Sequence, residues 1–473
     1  MLLLATTGMA LAQAGMDLNW TGSGVRAKAM GRAFIGVADD ASAITWNPAG
    51  LINSLDPQVS FSGTYTAPKA NYQLSYSGLD GGEYNVDHNT WTINYASFLA
   101  PVRIKGHQFS AAVAYNKVSE ITLANLIRPG INEQITRGAV VDTWDSTVVS
   151  NLEQYSDGSI DVINLGFGTY IWKDLAFGAS ANIYVGTTDE GYDLVAEWTK
   201  TVGFQNPELR RRLFRAHALS EKDFTGFNIT LGLQYTFDNL RMGAVLKTPF
   251  ELKEEFDIVQ NDTVWETMTE QYVILDFTDD FFLTDNKVKY EIPLTLGFGL
   301  AYNITPDFLV SADVEWRRFG KSESSVLDSG LIKSSGDKEE YYTDSPLNYY
   351  NAGEGRIGFE YKMNTESGII PLRGGFRYVQ DYARDIDSYR ADYERTARDG
   401  IFLVSTYTVP DERITGYGFS AGTGIHWSSV WLDLAFEYYT DTRSYLGQDA
   451  VGDFEADDKY TRSSINLGFT GYF

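Results

Sequence analysis

Fourteen stretches of this chain alternate apolar and polar residues with a period of two, and this pattern constrains the fold more than any other feature. The clearest stretch places Phe227, Leu231 and Tyr235 on one face of an extended chain and polar or small residues on the other. Such alternation predicts strands with one apolar and one polar face. The predicted strands cover approximately residues 58–66, 90–99, 107–117, 160–171, 174–187, 225–237, 239–249, 292–303, 306–316, 355–363, 370–379, 414–427, 429–440 and 462–473.

The connections between these strands are short and long in turn along the whole chain. The short ones are 101–106, 172–173, 238, 304–305, 364–369 and 428, and the long polar ones are 67–89, 118–159, 188–224, 250–291, 317–354, 380–413 and 441–461. An up-and-down barrel with tight turns at one rim and long loops at the other produces this alternation. A β-sandwich or a propeller has no reason to gather every long loop at one end. The chain is therefore predicted to be all-β, a 14-stranded antiparallel transmembrane barrel.

The last strand supports a membrane barrel. Ile465, Leu467 and Phe469 share one face of it, and the strand runs to the terminal Phe473. In a soluble protein, a terminal edge strand with such a stripe would promote aggregation. In a closed barrel this strand pairs with the first one and turns the stripe toward lipid. The alternative is a buried terminal strand of a soluble β-domain.

Composition narrows the function. The chain has no cysteine, which excludes disulfides and cysteine-based metal sites. Its net charge of -25 argues against nucleic acid as a partner. It has no apolar run long enough for a transmembrane helix. The four histidines are scattered, and no nucleophile elbow or phosphate-binding loop occurs. We therefore expect neither an enzyme nor a cofactor or metal site.

The N-terminus resembles a secretory signal. Residues 1–14 are apolar and small and end in an Ala-x-Ala cleavage pattern. No basic residue precedes Arg26, so the usual positive region is missing and we expect the annotated start to be truncated. The alternative is a short buried apolar segment. The prediction places a signal peptide at 1–14, a further segment at 15–56 and the barrel at 57–473.

The segment 15–56 differs in kind from the strands. It is rich in Gly and Ala, with isolated large apolar residues such as Phe34 and Trp46. A short helix is predicted from Asp39 to Asn47, capped by Asp39 or Asp40 and limited by Pro48. Small residues permit close approach to a barrel wall. The segment is therefore predicted to lie inside the barrel as a plug.

The plug sequence carries a resemblance to a known family. Gly24-x-Arg26-Ala-x-x-Met-Gly-x-Ala-Phe34-x-Gly-Val-Ala-Asp-Asp-Ala-Ser-Ala43, followed by Asn47-Pro-Ala-Gly-Leu51, resembles the hatch of FadL/TodX-type outer-membrane transporters of hydrophobic compounds. The resemblance continues in 246–250, 293–316 and 371–378 and is weakest in the long loops.

This resemblance implies a monomeric passive transporter in the bacterial outer membrane. It would carry long-chain fatty acids or other hydrophobic compounds past the lipopolysaccharide, with the hatch as gate and a lateral exit through the wall. A kink in the third strand makes that exit in the family. Residues 107–117 contain no Gly or Pro, so the exit is not located. The implied hatch and gate residues are Phe34, Val37, Asp39, Asp40, Trp46, Asn47, Pro48 and Ala49.

Two groups of residues are candidates for binding a ligand. Residues 206–219 are predicted to form an amphipathic helix in a long loop, with Leu209, Leu213 and Phe214 for an acyl chain and Arg215 for its carboxylate. The alternative is a helix that packs on neighbouring loops. In the lumen, Lys247 or Arg377 would meet an anionic ligand. The alternative is that the inward charges form ion pairs that hold the barrel's shape; they are Arg241, Lys247, Asp313, Glu315, Arg356, Glu360, Lys362, Arg373, Arg377, Asp433 and Glu437.

A second function is left open. Some plugged barrels resemble secretion-system components, which bind a protein partner and carry no lipid. The long acidic loops suit such docking. An enclosed apolar pocket above the plug would favour transport, and a filled lumen under a loop platform would favour docking.

Overall fold

The computed structural model describes most of the chain from Leu18 to Phe473. Not described are residues 1–17, 19, 77–78, 88, 128–129, 134–145, 203–207, 269–270, 275–278, 328–330, 333–337, 340–341, 348, 385–387, 396–400, 409–412 and 449–452. The predicted signal peptide, residues 1–14, lies outside the described residues.

Fourteen antiparallel strands form a closed barrel, as predicted. They are β1 (Gln58–Tyr76), β2 (Thr90–Ile104), β3 (His107–Ile127), β4 (Ser146–Trp172), β5 (Leu175–Val202), β6 (Glu208–Phe237), β7 (Leu240–Lys247, continuing as Phe250–Met268), β8 (Asp279–Ile292, continuing as Thr295–Thr305), β9 (Phe308–Arg317, continuing as Glu323–Leu327), β10 (Tyr342–Pro346, continuing as Ala352–Thr365), β11 (Gly368–Arg384), β12 (Arg413–His426), β13 (Val430–Gln448) and β14 (Asp453–Tyr472). Each strand pairs with the next, and β14 pairs with β1 from Gln58↔Tyr472 to Tyr76↔Phe454, which closes the barrel.

Shorter strands occur in the connections on the long-loop side; the first three named below join the barrel sheet, and the other four form two separate hairpins. They are Leu79–Asp87, Gly130–Glu133, Gln271–Ile274, Leu331–Ile332, Lys338–Glu339, Ser388–Arg395 and Ile401–Thr408. The barrel strands themselves are long, since β4, β5 and β6 have 27, 28 and 30 residues. About 9–11 residues suffice for a strand to cross a membrane. Much of what was predicted as long polar loop is therefore strand that continues beyond the apolar region.

The two faces of the strands differ as the alternation predicts. Phe227, Phe298 and Ile357 are exposed on the outside, whereas Asn228 and Thr230 are buried on the inside. The stripe on the last strand, including Leu467, is likewise exposed. An outer band of this kind is what a lipid-facing barrel requires.

The predicted amphipathic helix at 206–219 is wrong. Residues from Glu208 onward belong to β6, which pairs with β5 through Leu194↔Ala216 and with β7 through Val264↔Phe214. Pairing on both sides satisfies the backbone groups of this stretch, and this tertiary gain overrides the helix propensity of its Leu and Arg residues.

The segment before β1 contains the described helical turns on which the site is built. These are α1 (Val25–Ala29), α2 (Ala43–Trp46) and the 3-10 turn η1 (Pro48–Asn53). The helix predicted from Asp39 is thus shorter, and Ser42 rather than an aspartate precedes it, because the Asp40 carboxylate accepts from the Ser42 N–H at 2.8 Å. No helix in the described part of the chain has the length and apolar character needed to span a bilayer.

Candidate functional site

The N-terminal segment, Leu18 and residues 20–54, lies inside the barrel and packs against its wall. Phe34, Val37 and Trp46 are at most 2% exposed. They belong to one apolar cluster with wall residues that include Tyr95 and Leu99 of β2. The segment therefore shares a core with the strands that surround it.

Glycines in the wall allow the backbone of the segment to approach closely. A Cβ on Gly178 of β5 would collide with the backbone of Pro48, and one on Gly375 of β11 would collide with Gly31. In the segment, a Cβ on Gly36 would lie 2.7 Å from the carbonyl carbon of Leu300 on β8. No real side chain tolerates such contacts. Glycine at these positions is thus required by the packing of the segment.

A charged network fastens the segment to the wall. The Arg26 Nε lies 2.8 Å from Glu360 of β10, and Arg26 also pairs with Asp39. Arg241 of β7 reaches the other oxygen of Asp39 at 3.0 Å. Burial alone would raise the pKa of Asp39, but the two guanidinium groups outweigh it and hold this pKa below its usual value. The Glu360 carboxylate in turn accepts from Arg373 of β11 at 2.6 Å.

Two further cations hold α1 and the turn after it. Arg32 donates to both carboxylate oxygens of Glu437 on β13, at 2.8 and 3.2 Å. Lys28 donates to Thr64 of β1 at 3.1 Å and to Asn466 of β14 at 2.7 Å. Burial lowers the pKa of the Lys28 ammonium to about 8.

Backbone groups of the segment also find partners on the wall. The Asp313 carboxylate of β9 accepts from the N–H groups of Phe34 and Ile35 at 2.6 and 2.7 Å. The Asn47 amide donates to the carbonyl of Leu233 on β6 at 3.0 Å and to that of Ile35 at 3.2 Å. Asn47 also caps η1 by accepting from the Ala49 N–H at 3.2 Å. One side chain thus joins both halves of the segment to the wall.

The structure brings together the residues predicted to form the hatch. Phe34, Val37, Trp46, Asn47, Pro48 and Ala49 are all buried within the segment, and Asp39 and Asp40 lie in its charged network. Their positions fit a plug, and their role in gating stays a prediction.

The predicted ligand-binding residues are scattered. Arg215 is exposed on β6, far along the chain from Lys247, and the side chains of Leu209, Leu213 and Phe214 lie outside the described residues. The half-buried Lys247 ends the first part of β7.

The lumen charges mostly pair with one another. Arg377 lies 3.6 Å from Glu354 and covers the ring of Tyr439 at 4.8 Å. Arg356 pairs with Glu354 at 2.6 Å and with Glu315 at 3.3 Å. For Arg356 and Arg377 the structure thus shows the ion pairs that the sequence analysis gave as the alternative to ligand binding.

Sequence reasoning missed an apolar cluster on the long-loop side of the segment. Trp20 stacks on Tyr184 of β5 with ring centroids 5.2 Å apart and lies 6.4 Å from Phe250 of β7. We call this group the upper cluster; its buried members are Leu18, Ile121, Ile160, Val162, Tyr184, Phe224, Leu252, Ile292, Phe319, Ala352 and Tyr382, and Trp20, Val118, Phe250, Tyr290 and Tyr349 pack against it. The sequence signal that could have predicted the upper cluster is the set of inward apolar residues at the far ends of the predicted strands.

The third strand carries an irregularity at the height of the upper cluster. The register of β3 against β4 shifts between Lys117 and Ser119, so Val118 is an extra residue on β3. Val118 packs against the upper cluster. The irregularity of the third strand is thus a bulge at Val118, directly after the stretch 107–117 in which no Gly or Pro indicated a kink.

Comparison with known proteins identifies the fold. No family model and no curated protein sequence matches the chain. A FadL homologue of Pseudomonas aeruginosa is similar over 97% of this chain and 99% of its own, with 14% identity and a TM-score of 0.56. The toluene transporter TodX of Pseudomonas putida is similar over 97% of this chain and 99% of its own, with 16% identity and a TM-score of 0.55. The toluene transporter TbuX of Ralstonia pickettii is similar over 97% of this chain and 100% of its own, with 15% identity and a TM-score of 0.51. The chain therefore has the fold of the FadL- and TodX-type channels.

Proposed function

We propose that this protein is an outer-membrane channel for the passive passage of hydrophobic small molecules, long-chain fatty acids or monoaromatic hydrocarbons among them. The observation that carries the proposal is the upper cluster, a group of apolar side chains on the long-loop side of the plug that adjoins buried charged and amide groups of the wall such as Glu254, Arg317 and Asn228. An apolar solute gains free energy only where water is excluded, so a site of this kind selects such solutes over polar ones. The shared fold with proteins described as toluene transporters supports the same function.

The N-terminal segment would be the gate of this channel. It occupies the lumen below the upper cluster, and its own residues Leu18 and Trp20 fill part of the cluster. A ligand that takes the place of Trp20 would release the start of the segment, while the network around Arg26 and Asn47 holds the rest. The bulge at Val118 in β3 would provide the lateral exit into the membrane.

The first experiment is mass spectrometry of lipids that co-purify with the barrel, paired with binding of a fluorescent fatty acid in detergent. We expect a stoichiometric hydrophobic molecule that the probe displaces. Trp20→Ala should strengthen probe binding because it vacates part of the apolar site, whereas Trp172→Ala should leave it unchanged because Trp172 is 77% exposed at a turn. An empty barrel that ignores fatty-acid and toluene probes and retains a protein partner would refute the channel and favour docking.

A further inference from the structure

The wall opposite the third strand is interrupted. Strands β7 and β8 pair up to Lys247↔Thr295 and resume at Phe250↔Ile292. Between these pairs Pro249 and Pro293 stand directly opposite each other, and neither has an N–H to donate. Residues 248–249 of β7 and 293–294 of β8 are thus missing from the described hydrogen-bond ladder between the two strands.

The next two strands are interrupted at the same height. Strands β9 and β10 pair up to Arg317↔Ala352 and resume at Glu323↔Pro346, with the described residues 318–322, 347 and 349–351 outside the ladder. On β9 the chain turns into a short 3-10 helix at Phe319–Lys321. Among the described residues, the contacts across this region include the Leu347 N–H donating to Ser322 O at 3.1 Å and the Gly320 N–H donating to Asn351 Oδ1 at 3.0 Å. The Arg318 N–H also donates to Leu294 O at 3.2 Å.

Equal numbers of residues are omitted on the two sides of the β7–β8 and β9–β10 interruptions. Between β8 and β9 the ladder stops at Thr295↔Arg317 and resumes at Tyr290↔Ser324, so four residues are omitted on β8 and six on β9. Two residues are skipped on both β7 and β8, and five on both β9 and β10, so each pair resumes in its original register. A bulge would add a residue to one strand only. Together these interruptions form a slot in the wall, and we call residues 248–249, 293–294, 318–322, 347 and 349–351 the β7–β10 slot.

Apolar side chains of the upper cluster stand directly at the slot. Phe319 is 1% exposed, and its ring lies 4.6 Å from Tyr382 and 6.2 Å from Tyr349. Phe250, at the other end of the slot, stacks on Tyr184 at 4.5 Å. The Tyr382 hydroxyl accepts from the Leu18 N–H at 3.0 Å. The start of the N-terminal segment and the slot thus meet in one aromatic group.

The slot also lies at a boundary of the outer surface. On its turn side the exposed residues are apolar, for example Phe298 and Trp316. On its far side β7 exposes Glu251, Lys253 and Glu255. Such a change marks the edge of the lipid-facing band, where aromatic and charged residues meet the membrane surface. The slot therefore opens toward the outer margin of the hydrocarbon layer.

We propose that the β7–β10 slot is a lateral portal through which an apolar molecule dissolved at the outer margin of the membrane enters the upper cluster. This portal rests on the proposed channel function and is separate from the bulge at Val118 on the opposite wall. Parting the strands at the slot breaks fewer backbone bonds than parting them in a fully paired stretch such as the one that contains Phe298↔Ala244. The entering molecule replaces contacts among Phe319, Tyr349 and Phe250 with its own apolar surface.

A disulfide across the slot tests the portal, and the absence of native cysteine makes the test clean. Thr248→Cys with Leu294→Cys places two thiols on facing positions of the slot, and oxidation ties β7 to β8. The control is Ala244→Cys with Phe298→Cys, which are paired in the intact ladder of the same strands. Uptake of a fluorescent fatty acid and of a monoaromatic hydrocarbon is measured in proteoliposomes before and after reduction.

We expect oxidation to abolish uptake in the slot variant, reduction to restore it, and neither treatment to affect the control. Uptake that survives a complete disulfide in the slot variant would overturn the portal and leave the channel function standing. A wild-type protein that takes up neither probe would overturn both.

A second measurement does not depend on the engineered pair. A photoreactive fatty acid bound to the wild-type protein should label Phe250, Phe319 or Tyr349, and labelling confined to β3 near Val118 would contradict the portal.

Discussion

Adding one methyl group at Gly36 should loosen the N-terminal segment while leaving the barrel intact. In Gly36→Ala the new Cβ would lie 2.7 Å from the Leu300 carbonyl carbon, and ordinary contact begins at 3.4 Å. The segment must therefore move away from β8 by about 0.7 Å, as close packing leaves the wall little room to yield. The strands themselves are unchanged, because Gly36 precedes them.

The free energy lost in Gly36→Ala can be estimated from the hydrogen bonds at and next to Gly36. The Asp313 carboxylate holds the Phe34 and Ile35 N–H groups at 2.6 and 2.7 Å, and Gln234 donates to the Gly36 carbonyl at 3.2 Å. A shift of this size stretches the first two bonds and breaks the third. With roughly 1 kcal/mol for the broken bond and about 1–3 kcal/mol for overpacking, the loss is about 2–4 kcal/mol before the two stretched bonds are counted. The displaced population then rises by a factor of roughly 30–700.

Single-channel recording in planar bilayers measures this population as the frequency of openings. Gly36→Ala should open at least about tenfold more often than the wild type, since each 1.4 kcal/mol is a factor of ten. Gly355→Ala is the matched control, because a Cβ there meets nothing within 4 Å. Electrophoretic mobility of the unheated barrel verifies that both variants are folded. A folded Gly36→Ala protein with the wild-type opening frequency would refute the view that close backbone packing holds the segment in place.

Three further predictions concern the bonds between segment and wall. Asn47→Ala removes the bonds to the Leu233 and Ile35 carbonyls, which link the segment to the wall. Ligand-driven movement of the segment then loses this link, so uptake of a fluorescent fatty acid should fall with normal barrel assembly, even if ion openings rise as in Gly36→Ala; unchanged uptake would contradict a gating role. The pKa of Lys28 in the folded protein is about 8, below its ordinary value of 10.5, so the unfolded chain binds this proton more tightly. Thermal stability should therefore rise as the pH increases from about 8 to 10.5, and Lys28→Met should remove this rise. Because the pKa of Asp39 is lowered in the folded protein, its contribution to the stability of the seated segment is complete above the ordinary aspartate pKa and is lost as the pH falls through the folded pKa. Release of the segment by protease should increase over that pH range in the wild type and not in Asp39→Asn.

The strands within the apolar band could be predicted from sequence because each has one lipid-facing and one inward face. Phe227 and Phe298 lie outside as their parity predicts, and the short turns follow them at the expected rim. Beyond the band the outer face of a strand no longer meets lipid, so the outward positions need not be apolar and the period of two weakens. This is why the far half of β6 resembled a helix with Leu and Arg on separate faces, and why pairing with β5 and β7 decided otherwise.

The candidate site could be predicted only in part. The small residues around Phe34 and Asn47 indicated a plug, and the inward charges such as Glu360 and Glu437 were assigned to the lumen by parity. Which charge meets which depends on distances between strands far apart in the chain, and alternation carries no such information. The upper cluster escaped notice for the same reason, since Trp20 and Tyr184 approach only after the barrel closes.

The bonds of Lys28 have a consequence for biogenesis. Its ammonium group contacts Thr64 on the first strand and Asn466 on the last, two strands that become neighbours only when the sheet closes on itself. A nascent sheet with an open seam offers Lys28 just one of these two acceptors. We therefore expect encapsulation of the segment to be coupled to sealing of the seam, since a wrongly seated segment leaves the first and last strands without the cation that bridges them.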